Sequence, residues 1–269
     1  MNLASVAFEH HKFQTLICQP LGEQAILVTL NRPEVHNAYN ALMVSELGKV
    51  ITISEATAAI KVVILTGAGE RVFCAGADLK EAFINSGNGL LNQHGGYNPL
   101  QHMPRRKIWI AALNGHAFGG GLELALQCDL LVAEEQVKLS LPETRHSLLP
   151  VGGAITRLSA MLPGPVLKEM ILAGGALQAS RAWSLGLINR VTDRQNLLLA
   201  ARELADQIIS NAPLAVQAAN VLIEHSLYGD SATLEAHIQQ ELEQLQQSQD
   251  FAESGRAFME KRKPQWKGK

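Results

Sequence analysis

The hydrophobic positions of this chain fall into two alternating kinds of run. Short, nearly unbroken apolar runs occur at Gln24–Leu30 (QAILVTL), Lys61–Thr66 (KVVILT) and Ile108–Leu113 (IWIAAL), each followed by a turn containing Gly, Asn or Pro. Runs of this length, rich in Val and Ile, predict strands buried on both faces. After the first of them, Pro33 in NRPE removes a backbone donor and makes a turn. Apolar residues then recur at helical spacing over Asn37–Val50. RVFCAGADLKEAF passes through a turn of small residues into a second helix, and LELALQCDLLVA, after NGHAFGGG, reads as a third. A short strand (VKLS) is read near Gln136–Ser140, just ahead of LPET.

Strands alternating with helices predict an α/β fold with largely parallel strands. The alternation fades after Pro150. From Leu197 onward the sequence is almost entirely helix-compatible, with breaks at Asn211-Ala212-Pro213 and Tyr228-Gly229-Asp230. A boundary between Pro165 and Leu197 follows, dividing the chain into an α/β core (1–195) and a helical C-terminal region (196–269). The stretch Asn85–Gln101 is polar and rich in Gly and Asn, and reads as a mobile surface loop.

Composition narrows the partners. The 23 basic and 25 acidic residues leave a net charge of -2, so no overall field draws in nucleic acid or anionic lipid. The opening MNLASVAFEHHKFQ lacks the pattern of a secretory or organelle leader, and no apolar stretch reaches the ~20 residues of a membrane span. A cytoplasmic, non-membrane protein is expected. Cys18, Cys74 and Cys128 are too far apart for a zinc site or a disulfide framework and read as reduced, buried thiols. The nine histidines show no ligand spacing, and His116 reads as a packed or solvent-facing side chain. Trp109, Trp183 and Trp266 read as packing residues.

Chemistry concentrates at NGHAFGGGLELALQCD. Gly119, Gly120 and Gly121 end a strand-to-helix turn, where bare amides at a helix start suit a developing negative charge. The same glycines would also serve tight strand-helix packing. Glu123 sits in the first turn of that helix among apolar neighbours, where it could equally compensate the helix dipole. Glu143 follows Pro142 in LPET, a position that also suits a solvated surface acid. Taken together, two glutamates flanking a glycine-rich turn have the make-up of an acid/base pair. GAGERV fails as a dinucleotide fingerprint, because Val72 stands where the third glycine belongs.

NRPEVHNA, ILTGAGERVFCAGADLKE, AALNGHAFGGGLELALQCD, LPET with LLPVGG, GLINRV and AFMEKRKPQWKGK, in that order along nearly the whole chain, resemble the enoyl-CoA hydratase/isomerase (crotonase) family. The resemblance implies a spiral of ββα units, a helical C-terminal trimerisation region, and a homotrimer or dimer of trimers. It assigns the amides of Ala77 and Gly120 to an oxyanion hole, Glu123 to the attacking water and Glu143 to the α-proton. Coenzyme A would lie across Glu34, His36 and Ala38 and across Ala75, Asp78, Leu79 and Lys80. Phe258 and Lys261 match positions that reach it, in many relatives from a neighbouring subunit. No metal and no prosthetic group are implied, coenzyme A being part of an acyl-CoA thioester substrate.

The expected activity is reversible hydration of a 2-enoyl-CoA to a 3-hydroxyacyl-CoA, of the fatty acid β-oxidation type. Val151 stands where many hydratases have Gly, and His36 replaces a residue that is usually aliphatic. AFGGGLELAL, LPET and KPQWKGK also resemble the carnitinyl-CoA dehydratase branch. A Δ3,Δ2-enoyl-CoA isomerase using Glu143 alone is a further alternative. An RNA-binding protein on the same scaffold is the non-enzymatic one, set against the absence of a basic patch.

Overall fold

The computed structural model of the chain describes residues 7–84 and 88–269. The first six residues of the opening segment, and residues 85–87 of the Gly/Asn-rich stretch, lie outside the described residues. In chain order the strands are β1 (Leu16–Pro20), β2 (Ala25–Leu30), β3 (Val62–Gly67), β4 (Val72–Cys74), β5 (Ile108–Leu113), β6 (His116–Phe118), β7 (Leu130–Glu134), β8 (Lys138–Ser140), β9 (Ala176–Gln178) and β10 (Arg190–Thr192). They form a six-stranded sheet of order β1-β2-β3-β5-β7-β10 and a four-stranded sheet of order β4-β6-β8-β9. Apart from the antiparallel pairs at β1-β2 and β8-β9, neighbours run parallel.

From β3 to β8 consecutive strands alternate between the sheets. β3 and β4, β5 and β6, and β7 and β8 each give one strand to either sheet before the chain turns into the helices Leu79–Ala82, Gly120–Leu126 and, past a 3-10 turn, Ala154–Met161. Repeating this step winds the chain into a spiral of ββα units.

The unbroken apolar runs have a simple cause. β3 and β5 are buried at every position, so both faces of the pleat need apolar residues. Val63, Leu65, Trp109 and Ala111 face the main core. Val62, Ile64, Ile108 and Ile110 face the helix Leu197–Ile209 through Leu197, Ala201 and Ala205. The first helix of the C-terminal region thus covers the outer face of the large sheet.

Four sequence expectations change. LELALQCDLLVA is not one helix: it ends at Leu126, and Leu130–Glu134 is strand β7. Asp129 forces the turn, its carboxylate accepting from the Trp109 amide at 2.6 Å and from Asn220 Nδ2 at 2.9 Å. From residue 88 on, the Gly/Asn-rich stretch is folded inward, with Leu90, Asn92, Asn98 and Leu100 buried. The Asn92 side chain donates to the Asn98 and Gln101 carbonyls and accepts from the His94 and Gly96 amides, doing for this backbone what a ladder does elsewhere. Trp109 is a packing residue, but Trp183 is exposed, and Cys18 is only half-buried beside the buried Cys74 and Cys128.

Candidate active site

Strand β6 ends at Phe118, and the helix Gly120–Leu126 starts two residues later. Gly119 makes that turn possible with φ 53° and ψ -131°, a conformation open to glycine and costly for other residues. Its amide donates to the Ser140 carbonyl at 2.9 Å, tying the turn to the end of β8. At Gly120 an added Cβ would lie 2.3 Å from the Tyr39 hydroxyl oxygen, so only glycine fits.

A second loop approaches this turn. Tyr39 and Ala77 form an isolated parallel bridge, in which the Tyr39 amide donates to Gly76 and the Asp78 amide donates to Tyr39, both at 2.9 Å. In a parallel bridge those bonds flank the central residue, so the N–H of Ala77 faces away from Tyr39. The amides of Ala77 and Gly120 have no hydrogen-bond partner among the described residues. A Cβ on Gly76 would lie 3.0 Å from the Gly120 nitrogen, so the two donors sit on loops in contact.

Glu123 lies in the first turn of the helix and is 3% exposed. Its Oε1 accepts from the Ala154 amide at 3.1 Å. Burial, reinforced by the charge of Glu143, lifts its pKa to about 7 against the pull of the Ala154 and Gly152 amides. Glu143 opens the 3-10 turn Glu143–His146 after β8. Its Oε1 lies 3.1 Å from where a Cβ on Gly119 would sit, and its Oε2 is buried with no partner among the described residues. Burial raises its pKa as well, with its own backbone amide and His146 opposing. Thr144 Oγ1 donates to the Ile171 carbonyl, and Arg145 donates to those of Ala173 and Gly174, fixing the turn. Glu123 is buried and Glu143 half-buried, and the charge of Glu143 adds to the rise at Glu123, so the two titrations are linked.

The loops expected to meet coenzyme A lie side by side. Glu34, in the 3-10 turn Pro33–Val35, and His36 are exposed, and the His36 carbonyl accepts from the Ala75 amide at 3.0 Å. Arg32 bridges them, donating to the Ala38 carbonyl and pairing with Asp78 at 3.2 Å. Asp78 caps the helix Leu79–Ala82 by accepting from the Lys80 amide, leaving Leu79 and Lys80 exposed. Phe258 and Lys261 are not brought to this site. Both lie on the solvent side at the end of the helix Gln249–Glu260, and among the described residues no hydrogen bond or ion pair joins them to either loop. His116 packs on Phe118 and its Nδ1 accepts from the Lys138 amide, outside the glutamate pair.

The enoyl-CoA hydratase/isomerase family model matches residues 22–269. The chain belongs to this family. A carnitinyl-CoA dehydratase of Proteus mirabilis is 37% identical over 90% of this chain and 94% of its own length. A mevalonyl-coenzyme A hydratase of Aspergillus fumigatus is 38% identical over 90% of this chain and 91% of its own. The crystal structure of an enoyl-CoA hydratase from Mycobacterium marinum superimposes with TM-score 0.87 at 36% identity, covering 95% of this chain and 99% of that one. The ββα spiral with its helical C-terminal region is accordingly the crotonase-like fold.

For an enoyl-CoA hydratase/isomerase family member, some residues around the glutamates were invisible in the sequence. Tyr39, two residues ahead of a helix, looks like any packing aromatic. Asn98 lay in a stretch read as surface, yet it is buried and donates to the Gly120 carbonyl at 3.0 Å. Gln127 donates to the Gly152 carbonyl at 2.9 Å, setting the loop whose Ala154 amide meets Glu123. Among the described residues no group of three or more His, Cys, Asp or Glu is placed to hold a metal ion, and no helix is long and apolar enough to cross a membrane.

Proposed function

We propose that this protein is an enoyl-CoA hydratase, adding water reversibly across the double bond of a 2-enoyl-CoA to give a 3-hydroxyacyl-CoA. The observation that carries the reading is the convergence of two carboxylates of raised pKa, Glu123 and Glu143, on the turn that presents the free Gly120 amide. The amides of Ala77 and Gly120 receive the thioester oxygen. Glu123 takes a proton from water as its oxygen bonds to Cβ, and the double-bond electrons move to the thioester oxygen as an enolate. Glu143 then gives its proton to Cα, restoring the carbonyl. Coenzyme A lies across residues 34–38 and 75–80 as part of the substrate, and no prosthetic group enters. Assembly as a homotrimer or a dimer of trimers in the cytoplasm belongs to the same reading, with Phe258 and Lys261 reaching coenzyme A across a subunit boundary.

The pair needs one proton in either direction. With it on Glu143 the site hydrates; with it on Glu123, the more deeply buried of the two, the site is set for dehydration. That state, with the Proteus mirabilis relative, favours a carnitinyl-CoA dehydratase-like lyase as the second reading. Loss of the 2-enoyl thioester absorbance is to be followed with crotonyl-CoA and crotonobetainyl-CoA, beside Glu123→Gln and Glu143→Gln. Turnover of crotonyl-CoA that both variants abolish supports the hydratase. Turnover of crotonobetainyl-CoA alone selects the second reading, and normal turnover by either variant removes both.

A further inference from the structure

Tyr39 touches both loops that carry the free amides. Its backbone bonds to Gly76 and Asp78 flank Ala77. Its ring is 2% exposed, and its tip rests on Gly120, where a Cβ would lie 2.3 Å from the hydroxyl oxygen and about as close as 3.0 Å to the ring carbon bearing it. Asn98 Nδ2 also holds the Gly120 carbonyl, at 3.0 Å. The hydroxyl donates to the carbonyl of Tyr97, next to Asn98, at 3.4 Å.

That bond is long for an O–H donor. Burying a hydroxyl for one weak hydrogen bond is unfavourable, and phenylalanine would fill the same space without that cost. Packing alone therefore does not account for tyrosine here. Nor does proton transfer: burial, with the charges of Glu123 and Glu143 nearby, holds the phenol well above its ordinary pKa, so it stays neutral. What remains is the contact itself, a polar tip pressed on the residue that carries one of the two donors.

We propose that Tyr39 is a positioning residue whose hydroxyl-tipped ring sets the spacing of the Gly120 amide from that of Ala77, and so the grip of the site on an enolate oxygen. The proposal rests on the reading that these amides receive a thioester. Donors aimed at charge that develops during reaction act on kcat and leave ground-state binding largely alone.

The test uses the full-length chain and Tyr39→Phe, with acetoacetyl-CoA as probe, a readily enolised thioester whose enolate absorbs in the near ultraviolet. Signals are scaled to the folded fraction from melting curves. The wild type is expected to raise the enolate band on binding. Tyr39→Phe is expected to weaken the band several-fold and to lower kcat for crotonyl-CoA about tenfold, less than the 10²–10³ lost with a whole donor, with KM within about twofold. Tyr39→Leu should weaken the band further. A Tyr39→Phe protein that matches the wild type in band and in kcat overturns the proposal. If the wild type raises no band, the thioester reading and this proposal fall together. A wild type that raises the band without hydrating crotonyl-CoA loses only the hydratase assignment, and the Tyr39→Phe band then decides the positioning role alone.

Discussion

The turn and helix at 119–126 and the C-terminal helix Gln249–Glu260 are both expected to serve one site, and they are held in opposite ways. In the first, Gly121 to Leu126 are all buried, so packing within this chain fixes Glu123. In the second, Phe258 is 87% and Met259 76% exposed. Its inner side is secured by polar locks, Asp250 accepting from the Lys267 and Gly268 amides and Glu253 pairing with Arg262. The proposed reacting centre thus lies within one chain, while among the described residues nothing covers the apolar end of the last helix. Exposed large apolar side chains grouped in this way mark an interaction surface.

The strongest test of that contrast is at the buried end. Glu123→Gln keeps size and polarity but cannot accept a proton, so kcat for crotonyl-CoA should fall by about 10²–10⁴ with little change in KM. Retention of more than about a tenth of the wild-type kcat would show that Glu123 is structural. In the wild type, kcat/KM should follow the singly protonated pair. It rises as the lower carboxyl ionises and falls as the second proton leaves, near pH 7. An alkaline limb absent from the pH profile would separate the rate from this pair.

The same substitution should reveal what a buried acid costs the fold. The folded pKa of about 7 lies above the ordinary 4.5, so between these values the folded chain keeps a proton the unfolded chain has lost. Stability therefore falls as pH rises through that window, and the deficit is complete above it. Glu123→Gln should be more stable than the wild type by about 1–3 kcal/mol at pH 8, and the gain should vanish below pH 4.5. Denaturant midpoints at the two pH values check this; an equal gain at both would assign it to packing.

Asp250 probes the other region. Asp250→Ala leaves the Lys267 and Gly268 amides without their acceptor, which should cost about 1–3 kcal/mol of stability while kcat stays within about twofold. A large loss of kcat at full stability would mean that the C-terminal segment shapes the reacting centre directly.

How much of this was legible follows the same division. Strands buried on both faces announced themselves as KVVILT and IWIAAL, and Gly119 to Gly121 with Glu123 and Glu143 marked the proposed centre. Strands β4, β6, β9 and β10, of three residues each, are too short to show a period, and β7 merged into the preceding helix because Leu124 to Val132 is apolar almost throughout. Asn98 and Tyr39 act through contacts across the chain, 22 residues for the bond from Asn98 to Gly120, and nothing in their local sequence reports such a partner. Phe258 and Lys261, expected from the resemblance to reach coenzyme A, are joined by no hydrogen bond or ion pair to either loop among the described residues of one chain.

That last point gives the smallest expected effect. Lys261 sits exposed at the C-terminus of its helix with φ 52°, and no residue of the glutamate pair contacts it. If a neighbouring subunit presents it to coenzyme A, Lys261→Ala should raise KM for crotonyl-CoA several-fold through the lost charge, leave kcat unchanged, and lose its effect at high salt, where the exposed pair is screened. The same defect should disappear with a pantetheine thioester, which lacks the nucleotide phosphates. Phe258→Ala should instead change the concentration dependence of assembly seen by sedimentation, because it removes apolar area and not charge. A Lys261→Ala protein with normal KM at low salt would leave the last helix as a packing element alone and place the whole thioester site within residues 34–154.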